Sequence, residues 1–333
     1  MKIYLAGDSI VQNYEKEEFI AGWGQFLPFF IKDGVEVVND AKGGRSSRLF
    51  INEGRFDNIE KNISAGDYLL IEFCHNDDAS KEYKTMFNRL TPLGEPDSDG
   101  RFPIIPGEAM PKDYIPPEYI DALRKDENVK DKQAVLDSVY KILESYPHDT
   151  YYPYSADGSK GTYLWFLKQF VDMAREKGAV PVFVTAPART VYDANGNIKD
   201  GAGLHGGNNF AYIRAMKQLG EEAKVPVIDL FAYSCGLYKQ IGKEKIHWIT
   251  SIKKGCNKGI WPDDFNSEMQ KKETVSEDTH FNKYGAMFIT QGLVKLIKES
   301  DSSQLDGLKG MLKNPDGIDI EKYVKKPLVF EEF

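Results

Sequence analysis

The chain opens on a strand that stops at a serine. Ile3 to Ala6 is an unbroken apolar run, read as a short buried strand, and Gly7-Asp8-Ser9 breaks it at once with a turn signal. Ser9 is thereby expected at the carboxyl end of the first strand, which is where open parallel α/β sheets bind their ligands. Taken alone, Gly-Asp-Ser serves equally well as a plain turn or a helix N-cap. The rest of the chain has to decide between these readings.

Short apolar runs alternate with helix-period segments along most of the sequence, the pattern of a parallel sheet flanked by helices. Strands are expected at Ile3–Ala6, Val35–Asn39, Tyr68–Phe73, Val180–Thr185 and Val225–Asp229. Helices are expected at Gly24–Lys32, Asp57–Ile63, Tyr163–Lys177, Phe210–Ala223 and Asn282–Lys298. The segment Tyr163 to Ala174 has one wide apolar face, suited to covering a sheet. Residues 79–159 interrupt the scheme: they are rich in Pro, Asp, Lys and Tyr, and predict two short helices at about Glu118–Lys125 and Lys132–Ser145. We read 1–300 as one domain, with 79–159 an insertion that is either a lid or cleft wall or a surface excursion. Residues 301–333 form a C-terminal extension to which no chemistry is assigned.

Three further segments accompany the first turn. Val37-Val38-Asn39-Asp40-Ala41-Lys42-Gly43-Gly44-Arg45-Ser46 reads as a strand ending in a glycine-rich turn. Tyr68 to Phe73 runs into the polar cluster Cys74-His75-Asn76-Asp77, and Glu277-Asp278-Thr279-His280 precedes a final helix. In this order the four segments resemble the signature blocks of the SGNH (GDSL-type) hydrolases. The rhamnogalacturonan acetylesterase branch is the nearest likeness, through Gly22-Trp23-Gly24-Gln25 and Gly44-Arg45-Ser46. The resemblance covers roughly residues 1–78 and 160–298. Together with the alternation of elements it implies a three-layer α/β/α sandwich of the flavodoxin type, with a central parallel sheet of about five strands.

Composition narrows the partners. A net charge of −8 on 333 residues argues against nucleic acid or an anionic membrane. No run of about 18 apolar residues is present, so no membrane span is expected. The first strand begins too early for a signal peptide, which predicts a cytoplasmic protein, or a secreted one from which a leader has been removed. Cys74, Cys235 and Cys256 make an odd count without metal spacing, and reduced thiols are expected. A two-metal reading of Gly7-Asp8 and His75-Asn76-Asp77 lacks ligands, because the chain has only five histidines and no upstream Asp-x-His. Neither a metal nor a cofactor is expected.

Acyl transfer needs a nucleophile, a base in contact with it, a group that orients the base, and donors for the oxyanion. Ser9 supplies the hydroxyl. His280 is the base, marked out by its acid-x-x-His block before a helix, with an imidazole suited to proton transfer near neutrality. The resemblance nominates the backbone N–H groups of Ser9 and Gly44 and the side-chain amide of Asn76 for the oxyanion. The bland alternatives are a plain turn at Gly43-Gly44 and an Asx turn at Asn76. Relatives carry Asp three residues before the histidine, whereas this chain has Glu277 there and Asp278 next. Glu277 is the favoured orienting carboxylate and Asp278 the runner-up; in a third reading a backbone carbonyl orients the ring. Cys74 stands where relatives generally have Gly, and is expected to narrow the pocket or move the Asn76 loop.

The resemblance implies a serine esterase that removes O-acetyl groups from plant cell-wall-type carbohydrate, with an acetylated oligosaccharide or polysaccharide as its partner. Arg45, His75 and Trp261 are the candidates for sugar contact. Arg45 reads equally as half of a surface salt bridge, and His75 and Asp77 as structural partners within their loop. Two rivals remain: a lipase or thioesterase of the same fold, and a catalytically silent carbohydrate-binding member.

Overall fold

A computed structural model describes residues 1–15, 20–78, 89–196, 210–243, 245–252 and 276–320, apart from the side chains of His247, Ile252, Ser276 and Glu277. The chain begins with β1 (Lys2–Gly7), α1 (Trp23–Phe26), β2 (Glu36–Asn39), α2 (Ser47–Asn52), α3 (Arg55–Asn62) and β3 (Tyr68–Glu72). An excursion follows, made of β4 (Met110–Pro111), α4 (Pro117–Lys125), α5 (Lys132–Glu144) and β5 (Thr150–Tyr151). The chain then returns through α6 (Tyr163–Glu176), β6 (Val180–Val184), α7 (Ala211–Ala223), β7 (Val227–Ile228) and α8 (Leu230–Ile241). It finishes with β8 (Thr250–Ile252), β9 (Ser276–Phe281), α9 (Lys283–Glu299) and α10 (Asp306–Met311).

Five strands pair in parallel in the order β2-β1-β3-β6-β7. Counted within the sheet this is 2-1-3-4-5, the flavodoxin order, and the direction of winding reverses between β1 and β3. Side chains alternate across the strands. Ile3, Leu5, Tyr68 and Leu70 enter the apolar cluster shared with Met287, Ile289 and Leu293 of α9. Tyr4, Ala6, Leu69 and Ile71 enter the opposite cluster, shared with α6 and α7 through Leu167, Phe170 and Met216. Two cores separated by one sheet constitute the three-layer sandwich.

The expected helix over Gly24–Lys32 is shorter than predicted. After α1 the chain tightens into a 3-10 turn over Leu27–Phe30, because Pro28 removes a backbone donor. In the excursion, α4 and α5 bury Tyr119, Leu123, Val139 and Leu143 in a small core of their own that also takes Leu49 of α2. The C-terminal extension is part of the main core over its described length. Leu305, Leu308 and Met311 join the α9 cluster, and Lys32 N–H donates to the Met311 carbonyl (2.8 Å). Among the described residues no helix is long and apolar enough to cross a membrane.

Candidate active site

Ser9 follows the last residue of β1 by two positions and sits at the winding reversal. Its turn is held internally: the N–H groups of Val11 and Gln12 donate to the Asp8 carbonyl (3.2 and 3.1 Å), and Ile10 N–H donates to Asp8 Oδ1 (2.9 Å). The Gly22–Gln25 segment buttresses this turn from outside. Trp23 N–H donates to the Ile10 carbonyl (2.7 Å), and Gln25 Oε1 accepts from Tyr14 N–H (3.1 Å). A Cβ on Gly22 would lie 2.5 Å from the Gln12 carbonyl oxygen, so only glycine permits the approach. Tyr14 donates its hydroxyl to the Ser9 carbonyl (3.0 Å). Tyr14 and Gln12 are functional neighbours that sequence reasoning missed, since neither belongs to a block and only the fold brings them to the serine.

The histidine arrives from the far end of the chain. Its block, which lies just before the last helix as expected, is itself a strand, β9. Phe281 pairs with Thr250 of β8 and its carbonyl accepts from Ala21 N–H (2.9 Å). Asn282 then caps α9 by accepting from Gly285 N–H (2.8 Å), while its Nδ2 donates to the Trp248 and Thr250 carbonyls (2.7 and 3.1 Å). Between these anchors His280 places Nε2 at 2.8 Å from Ser9 Oγ. Of the two carboxylates considered for its other nitrogen, the Glu277 side chain lies outside the described residues. Asp278 is engaged elsewhere: its Oδ1 accepts from Arg189 Nη2 and Nε (2.5 and 3.2 Å) and from the Thr279 hydroxyl (3.0 Å).

The glycine turn lies on the other side of the serine. A Cβ on Gly43 would stand 3.3 Å from Ser9 Cβ, and Gly44 adopts a φ of +81°, the left-handed region that favours glycine. Gly43 N–H donates to Gln12 Oε1. Among the described residues the N–H groups of Ser9 and Gly44 have no protein acceptor. Arg45 holds the turn from behind. Its Nε and Nη2 take both oxygens of Glu53 (2.8 and 2.7 Å) and its Nη1 donates to the Gly43 carbonyl (2.8 Å). Of the two readings of Arg45, sugar contact and salt bridge, the structure shows the salt bridge, and the guanidinium is committed to its own loop.

The third block supplies Asn76, buried, whose Nδ2 donates to Asp8 Oδ2 (2.8 Å). One hydrogen of that amide is so used and the second is left over. His75 is not positioned for sugar contact: it is 1% exposed and donates Nε2–H to the Pro187 carbonyl (2.9 Å). Asp77 accepts from the Ser47 N–H and hydroxyl (3.0 and 2.5 Å), which ties the asparagine loop to α2. Cys74 does not narrow the pocket, because its thiol is fully buried in the apolar cluster with Phe73, Tyr163 and Tyr212. Burial raises its pKa well above the ordinary thiol value, leaving it unreactive. Trp261 lies outside the described residues. Of the other tryptophans, Trp23 is wholly buried and Trp165 packs edge-on against Tyr152 and Phe166.

Acidic groups crowd beneath the serine. Burial pushes Asp8 up to about 6, against the pull of the Ile10 N–H, His280 and Asn76. Burial likewise pushes Asp77 up to about 7, against the Ser47 hydroxyl. Glu72, in register with Gly7 on the neighbouring strand, is fully buried and neither carboxyl oxygen makes a hydrogen bond of normal geometry. Burial, with Asp8 and Asp77 nearby, raises its pKa well above the carboxylate range, which favours the protonated form. The arrangement thus offers a hydroxyl in contact with an imidazole, two unoccupied backbone donors and a neutral amide, the equipment of acyl transfer.

Known proteins share this chain's sequence over nearly its whole length. It is 30% identical over 300 residues to rhamnogalacturonan acetylesterase RhgT of Bacillus subtilis (strain 168), covering 90% of each chain. It is 30% identical over 298 residues to the probable rhamnogalacturonan acetylesterase YesY of the same organism, covering 89% of this chain and 92% of that one. The crystal structure of the YxiM protein of Bacillus subtilis superposes with a TM-score of 0.52 at 18% identity, a likeness of fold. That match covers 91% of this chain, which spans 57% of the solved one. No protein-family model matches the chain.

Proposed function

The chain belongs to the rhamnogalacturonan acetylesterases of the SGNH (GDSL-type) superfamily, carboxylic ester hydrolases, and from that premise we propose that it removes O-acetyl groups from rhamnogalacturonan, pectin or related oligosaccharides by way of an acetyl-serine intermediate. The reading rests on one observation, the 2.8 Å contact between Ser9 Oγ and His280 Nε2 at the mouth of the sheet.

In this mechanism His280 takes the Ser9 proton as Oγ attacks the acetyl carbonyl carbon. The carbonyl oxygen gains negative charge and is received by the N–H groups of Ser9 and Gly44 and the second amide hydrogen of Asn76. Collapse of the tetrahedral species breaks the ester bond, and His280 returns its proton to the departing sugar hydroxyl. Water, deprotonated by His280, then attacks the acetyl group on Ser9. Acetate leaves and the serine regains its proton. Glu277 orients and stabilises the imidazolium, while Asp278, held by Arg189, fastens β9 to the loop after β6.

The test is acetate release from acetylated pectic and xylan oligosaccharides by the full chain, run beside Ser9→Ala. Release that disappears in the variant supports the reading. Turnover restricted to long acyl esters would favour a lipase or thioesterase. Sugar binding without turnover of any ester, p-nitrophenyl acetate included, would favour a silent binding protein.

A further inference from the structure

Arg89 stands beside the Gly44 turn and takes no part in the mechanism above. The chain next to it is fastened to the core. Thr91 N–H donates to the Asp77 carbonyl (3.1 Å), the Tyr212 hydroxyl donates to the Thr91 carbonyl (2.6 Å), and Arg48 Nη2 donates to the Leu90 carbonyl (3.2 Å). From that anchored position the guanidinium reaches over Gly44. A carbon in the Cβ position of Gly44 would lie 3.3 Å from Arg89 Nη2, 3.6 Å from Cζ and 3.8 Å from Nε. The group therefore lies along the turn whose amide faces the oxyanion, and its charge is felt at Asp8.

What distinguishes Arg89 among the described arginines is that its guanidinium has no hydrogen-bonded partner. Arg45 is paired with Glu53 and Arg189 with Asp278, and the buried Arg48 donates to backbone carbonyls. Among the described residues the Arg89 guanidinium makes no hydrogen bond or ion pair, and the residue is exposed. In a chain of net charge −8, an exposed guanidinium without an ion-pair partner among the described residues, at the edge of the candidate reaction centre, favours an anionic ligand. Its planar fork matches a carboxylate in bidentate geometry. Phosphate and sulfate esters share the charge, but the acyl chemistry of the site calls for an acetylated alcohol, and the carboxylate-bearing alcohol of that class is a uronic acid.

We infer that Arg89 is a specificity-determining residue, whose guanidinium receives the carboxylate of a uronate carrying, or adjoining, the acetyl group that Ser9 attacks. The inference rests on the esterase reading and deepens it. Arg89 acts on substrate binding, so its loss raises KM for uronates and leaves the order of chemical steps as it is.

The experiment compares the full chain with Arg89→Gln and Arg89→Lys on acetylated oligogalacturonides and on neutral acetylated xylo-oligosaccharides. With Arg89→Gln, KM for the uronate is expected to rise about 10–100-fold, the size of one charge-assisted hydrogen-bonded contact. The ratio of kcat/KM for uronate over neutral substrate is expected to fall by about tenfold or more, with partial recovery in Arg89→Lys. Equal losses on both substrates would place Arg89 at the reacting acetyl group and overturn the proposal. An unchanged ratio would overturn it as well. Should the wild-type chain hydrolyse no ester, the esterase reading fails separately, and calorimetric titration with unacetylated trigalacturonate decides Arg89. Binding by wild type that is lost in Arg89→Gln upholds the site, and binding by neither, or by both alike, overturns it.

Discussion

Asn76 donates its side-chain amide to Asp8 across the gap between β3 and β1, at 2.8 Å. The bond joins the loop that carries the proposed third oxyanion donor directly to the turn that carries Ser9, the proposed nucleophile. Both partners are buried, so the contact is shielded from water, and it fixes the orientation of the amide.

If Asn76 serves the oxyanion as proposed, Asn76→Ala removes a donor from the transition state, and it also strands Asp8 Oδ2. We expect kcat to fall about 10²–10³-fold on p-nitrophenyl acetate. The unsatisfied buried oxygen should cost about 1–3 kcal/mol of stability. Initial rates and a urea melt read the two effects separately.

Glu277→Ala and Asp278→Ala should part company. If Glu277 orients the imidazole, its removal lowers kcat by about 10²–10⁴-fold, the range seen when a catalytic histidine loses its carboxylate. Asp278→Ala breaks the Arg189 contact and should act mainly on stability, with a smaller loss of rate. The opposite ranking of the two kcat values would hand the role to Asp278.

Gly44→Ala puts a side chain on a residue with φ of +81° and a new carbon 3.3 Å from the Arg89 guanidinium. The left-handed backbone costs about 1 kcal/mol for a residue other than glycine. A shift of the turn carries its amide away from the oxyanion, so kcat should fall more than KM rises. Wild-type kcat in the variant would mean that the Gly44 amide takes no part in the reaction.

Stability should decline as pH rises from about 4 toward 8. Asp8, Asp77 and Glu72 are all raised above ordinary carboxylates, so across this window the folded chain holds protons that the unfolded chain has released. Their contribution is complete below the unfolded values near 4 and is lost as pH climbs through about 6 for Asp8 and about 7 for Asp77. One such proton changes stability by at most about 1.4 kcal/mol per pH unit. Glu72→Gln keeps the shape without the ionisation, so its melting temperature should gain on wild type between pH 5 and pH 8. A parallel pH dependence in the two proteins would show that Glu72 ionises freely in the fold.

The five strands of the sheet were legible because strand formation here follows from local apolar runs bounded by turn residues. The strand character of the His280 block was not. Glu277-Asp278-Thr279-His280 has neither an apolar run nor a clean alternation, and belongs to a strand because its flanking residues pair, Ser276 with Ile252 and Phe281 with Thr250 and Ala21. Arg45 and His75 were candidates for sugar contact, with a salt bridge and a structural role in the loop as their alternatives, and local sequence leaves such alternatives open. The fold turns one onto Glu53 and buries the other against Pro187. Arg89 carried no signal at all, since nothing in its neighbours marks it and its role depends on Gly44, which is distant in the chain.

Alone, the sequence determined the parallel sheet, the two-faced alternation of its strands and the placing of Ser9 at a strand's carboxyl end. Each of these follows from short-range chemistry: apolar period, turn residues and helix breakers. Tertiary structure decided which groups meet. Ser9 and His280 are 271 positions apart and come within 2.8 Å, while Asp278 pairs with Arg189 and Arg89 has no ion pair among the described residues. Such choices depend on where loops land once the core has formed, and charge and hydrogen-bond partners are set by distance in space, which residue order does not encode.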